Sequence, residues 1–161
     1  MADLLALALR YLHIVFGVAW IGAVFYSVAV LRTAMGRVDM DARRKTMKAL
    51  LPVAIHYVPM AAVLTIVFGA LLYAHLGAYS LDYMLSSTWG QTIFGAMVLT
   101  LVTFGLGMFL VVGGSRKIAV HLAEETCTHA TEVGTLQERT NLGQLTVLVL
   151  GMVLLALMVS A

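Results

Sequence analysis

The chain has 161 residues, 61% of them hydrophobic and 11% charged. Soluble domains hold about 45–50% apolar and about 25% charged residues, so this composition excludes an ordinary soluble fold, and it excludes a long disordered tail. A net charge of +2, from ten Lys and Arg against eight Asp and Glu, gives no basis for nucleic-acid binding, and the single cysteine, Cys127, excludes a disulfide framework.

A helix crossing a bilayer needs about 20 mostly apolar residues, because nothing in the hydrocarbon layer can satisfy a bare backbone. Four stretches meet that requirement. The first runs from about Leu4 to Leu31 and is interrupted by Arg10 and His13. The lack of a small-residue cleavage site after a short apolar core makes it a retained span. Gly36 ends this helix, and Asp39 or Asp41 caps the next, so the first turn lies near Gly36–Val38. The second span covers about Ala49 to Ala74 and contains Pro52, His56 and Pro59; the third covers about Trp89 to Val112. The third is expected to continue past Gly113–Gly114 as a cytoplasmic helical extension over about 113–140. Gly134 and the polar run to Asn141 are expected to turn into the fourth span, about Leu142 to Ala161. The expected fold is all-α: one integral membrane antiparallel four-helix bundle over residues 1–161.

The basic residues set the expected orientation. The first connection carries Arg32, Arg37, Arg43, Arg44, Lys45 and Lys48, the third carries Arg116, Lys117 and Arg139, and the second, Gly77 to Thr88, carries neither Lys nor Arg. Connections one and three are therefore placed in the cytoplasm. Both termini then lie outside it, in a multi-pass protein of the inner (cytoplasmic) membrane. Tyr79, Tyr83 and Trp89 fall where an outer aromatic belt would sit.

Ionisable groups inside a span are costly and point first to function. His13 and His56 are the two candidates. Counting from an apex at residue 36 or 37 puts Pro59–Ala61 level with His13, and His56 about one turn, roughly 5 Å, away. Two imidazoles from facing helices at one depth suit axial ligation of a haem iron, with Gly17 clearing space beside His13 and Arg10 within reach of a propionate. His75, about four turns off, cannot share that iron. A histidine in a span can also bond a neighbouring helix. Met60 follows His56 by four residues, and imidazole with thioether can hold Cu(I). His121, Glu125 and His129 form an i, i+4, i+8 stripe that reads either as a divalent-metal site or as a solvated face. Gly95, Gly105, Gly143 and Gly151 allow either homo-oligomer contacts or packing within one chain. The sequence has no phosphate loop, nucleophile elbow or carboxylate pair, so no catalytic residue is assigned.

The run from Leu9 to Gly22, with His13, Gly17, Trp20 and Gly22 in the pattern His, small residue, Trp-x-Gly, resembles the first span of a superfamily of small bacterial membrane proteins. That superfamily includes the membrane part of copper-resistance protein D, the urate-oxidase-associated membrane region and the haem-dependent protoporphyrinogen oxidase. His56 followed by Thr65 and Gly69 is similar to the urate-oxidase-associated pattern. The resemblance implies a helical bundle that binds haem b through His13 and His56. The expected function is then a small b-type cytochrome with one haem between the first two spans. It would exchange electrons with a quinone or another redox protein, or serve as a redox subunit, in contact with membrane lipid. The alternatives are a copper-handling transport or accessory subunit using His56 and Met60, and a structural subunit without cofactor.

Overall fold

The computed structural model describes residues 3–77, 80–123 and 130–160 of the chain. Among the described residues the elements are all helical: α1 Leu4–Met35, α2 Met40–Leu76, a short α3 Leu81–Ser86, α4 Thr88–Ala123 and α5 Ala130–Ser160. Four of them are long and apolar enough to cross a membrane, which makes this a multi-pass membrane bundle. A helix of 37 residues such as α2 is about 55 Å long against about 30 Å of hydrocarbon, so its ends reach into the headgroup layers.

The helix ends follow local chemistry. Asp3 Oδ1 accepts from the Leu5 and Ala6 amides, both at 3.1 Å, and Asp39 Oδ1 accepts from Asp41 and Ala42 at 3.0 and 2.9 Å. Each carboxylate satisfies amides that a helix start leaves without partners. Gly36 ends α1 as expected, and Ser87 caps α4 through the Gly90 amide at 3.0 Å. Below, the end carrying Gly36 and Arg32 is called the basic end, and the end carrying His75 and Trp89 the aromatic end.

The expected turn at Gly134–Asn141 is a correction: these residues lie inside the continuous helix α5. Their polarity serves a helix face. Gln137 Nε2 donates to Asn141 Oδ1 at 3.0 Å, an i, i+4 pair that supports the helix. The beginning of the expected extension is also part of the bundle, because Ser115 and Ile118 are buried. Glu125, Cys127 and His129 lie outside the described residues.

The shared core is Trp20, Val24, Ala61, Ala62 and Val147. Glycines set the closest helix approaches. A Cβ at Gly143 would lie 2.7 Å from Leu110 Cβ, and one at Gly151 would lie 2.6 Å from Ile21 Cδ1, so both glycines serve packing within the chain. Positions 95 and 105 have open space around them instead. Two helical turns depart from α geometry: Ser27–Leu31 in α1 and Gly107–Val112 in α4 are π-helical.

Candidate functional site

His13 is half-buried where α1 meets α2. Its Nδ1–H donates to the Thr65 carbonyl at 2.9 Å, and the ring lies on Gly69, where a Cβ would come within 2.8 Å of it. Around this contact the two helices touch directly. A Cβ at Gly17 would lie 3.6 Å from Thr65 Cγ2, and Phe16 stacks on Phe68 with centroids 5.7 Å apart. The structure thus gathers the motif residues His13, Gly17, Thr65 and Gly69 at one contact. Together with Trp20, Tyr73, Trp89 and Met97 they line a cavity of about 180 Å³ in the aromatic half.

His56 is not brought to His13. It is exposed, lines neither cavity described here, and donates its own Nδ1–H to the Pro52 carbonyl at 2.8 Å. Thr65 stands nine residues beyond His56 on α2, about 13 Å at 1.5 Å per residue. Counting Cα levels misplaces the pair because a helical side chain leans toward its own N-terminus. The N-termini of α1 and α2 lie at opposite ends of the bundle, so the His13 ring tips toward the aromatic end and the His56 ring toward the basic end.

The structure does not bring the two expected haem ligands together, and at His13 the first two helices are in contact. Arg10 is exposed and lines neither cavity. Met60, four residues beyond His56 on α2, is also exposed and lines neither cavity. Among the described residues no three His, Cys, Asp or Glu side chains gather where a metal ion could sit. His75 Nε2 instead meets Asp3 Oδ2 at 2.6 Å, tying the start of α1 to the end of α2. This contact holds the Asp3 carboxyl below the usual carboxylate value, with help from the Ala6 amide.

The larger cavity, about 330 Å³, occupies the basic half. Its volume falls in the usual range for small-molecule sites, about 300–1,000 Å³, while the His13 cavity falls below it. Its deep wall is apolar: Trp20, Val24, Val58, Ala62, Phe104 and Val147. Its other end carries Arg32, Arg43, Ser115, Gln137, Thr140 and Asn141. Both π-helical segments contribute to the wall, Ser27 and Leu31 from one and Gly107, Met108, Val111 and Val112 from the other. π turns inside α-helices are frequent at functional sites. Trp20, 5% exposed, is the residue that lines both cavities.

Sequence reasoning found His13 and missed this second cavity. The available signal was the spacing of Gln137, Asn141 and Gln144, which places three amides on one helix face beside an apolar run. No family model matches the chain, and no curated protein or solved structure matches it.

Proposed function

We propose that this protein is a membrane-embedded binding subunit that holds one small hydrophobic molecule in the cavity of the basic half, on the cytoplasmic side of the membrane. The observation that carries this reading is the cavity itself, an apolar pocket of about 330 Å³ with convergent polar groups at one end and a π-helical turn in two of its walls. The protein's own residues supply shape and desolvation, and the polar end sets orientation. Native mass spectrometry of protein extracted from membranes tests this. One small molecule per chain is expected on the wild type and none on Ala54→Phe, which fills the cavity; an empty wild type overturns the reading.

A second reading keeps His13 as the ligand of a single haem in a small cytochrome, without His56. It is favoured by the Nδ1–H bond to the Thr65 carbonyl, which leaves Nε2 with a lone pair, the arrangement common to metal-ligating histidines. The absorption spectrum of the purified protein decides it. A Soret band lost in His13→Ala and kept in His75→Ala supports this reading, and a colourless protein ends it.

A further inference from the structure

We propose that the occupant of the larger cavity is a single-chain amphiphile with an anionic head, the head held by Arg32 and Arg43 and the chain running along Val58, Ala62 and Phe104 to Trp20. This rests on the binding reading above and adds the chemical class of the ligand.

The charge of the lining is one-sided. Among the described residues Arg32 and Arg43 line the cavity, no Asp or Glu does, and neither arginine has an ion-pair partner. Guanidinium donors without carboxylates suit a carboxylate or phosphate head, because charge-assisted hydrogen bonds are the strong ones.

Thr140 closes the wall between α5 and α4: it is 3% exposed, and its Oγ1 faces Gly114, where a Cβ would collide with it.

The levels agree. Ile21 packs against Gly151, which fixes α1 against α5. From that contact Arg32 lies eleven residues toward the basic end along α1, and Thr140 lies eleven residues the same way along α5, about 16 Å in each case. Arg32 and Thr140 therefore stand in one plane, in the region where α-helices of this length leave the hydrocarbon. An anionic head would sit there, and a tail would fill the apolar depth down to the indole. The volume of about 330 Å³ is at the lower end for small-molecule sites, which favours one chain over two.

The test uses the full chain in a neutral detergent, with Trp89→Phe so that Trp20 is the sole indole at the end of the cavity. 9,10-Dibromostearate and 9,10-dibromostearyl alcohol share a quenching tail and differ in head. The acid is expected to quench Trp20 saturably and to bind about tenfold more tightly than the alcohol. Arg32→Gln with Arg43→Gln is expected to remove that advantage and to leave the alcohol's affinity unchanged, which also shows the variant is folded. Equal binding of acid and alcohol by the wild type, or acid binding indifferent to the arginine changes, overturns the anionic head while leaving the cavity a binding site. Failure of both probes to quench saturably overturns the binding reading as well. If dibromostearate and a brominated lysophosphatidate both bind, their relative affinities tell a carboxylate source from a phosphate one.

Discussion

The two halves of this bundle are made from the same kinds of residue and end in different states. In the aromatic half, Gly17 and Gly69 let α1 and α2 meet face to face with the His13 ring between them, beside a cavity of about 180 Å³. In the basic half, the π turns of α1 and α4 shift the helix surfaces, and a cavity nearly twice as large remains. In a membrane the hydrophobic effect does little to press helices together, so local shape decides where they close. Gly17 and Gly69 close α1 on α2 in one half; in the other, Gly114 and Gly143 close α4 on α5, and the cavity remains beside the π turns.

The largest effect on this contrast is expected from Trp20→Ala. The indole is the common wall, and removing a buried Trp costs about 3–5 kcal/mol when the site cannot collapse. Unfolding of the purified protein in a bilayer mimetic would measure it, and a loss under 1 kcal/mol would mean the two cavities already communicate. Next comes Gly143→Ala, expected to cost about 1–3 kcal/mol, because its Cβ would meet Leu110 Cβ, which cannot swing aside. Gly105→Ala, in open space, is expected to be neutral or to gain up to about 1 kcal/mol from helix propensity, which sharpens the comparison within one helix pair.

His13→Ala is expected to cost about 1–2 kcal/mol through the lost bond to Thr65 and the void over Gly69, while exposed His56→Ala stays within about 0.5 kcal/mol. Equal effects would contradict the placement of the two rings.

The smallest effect is the clasp at the aromatic end. The Asp3 carboxyl is held below its usual value in the folded protein, chiefly by the His75 hydrogen bond. The stability it contributes is therefore fully present above the unfolded carboxylate value and disappears as pH falls through the lower, folded one. Asp3→Asn keeps a helix-capping side chain and removes the charge. Its melting temperature should fall slightly below that of the wild type at pH 7, and the gap should close below about pH 4.

The architecture was legible in the residues because lipid imposes few solutions: four apolar stretches, Gly36 and Asp39 were enough to place four spans and the first turn. Half of the site was legible, since a histidine in a span draws attention whatever surrounds it. The partner of His13 was not, because levels counted on Cα atoms ignore the direction in which side chains lean. Thr65 and Gly69 stand where Pro59–Ala61 were expected. The larger cavity escaped for a different reason. Nothing in the order of Ser27–Leu31 or Gly107–Val112 marks a π turn, and the polar residues of α5 imitate a loop when read along the chain and a groove only when read around the helix.

The position of Trp20 carries one last consequence. Because its ring lines both chambers, any movement of the indole reshapes the two halves together, so a substitution there is felt at both ends of the bundle.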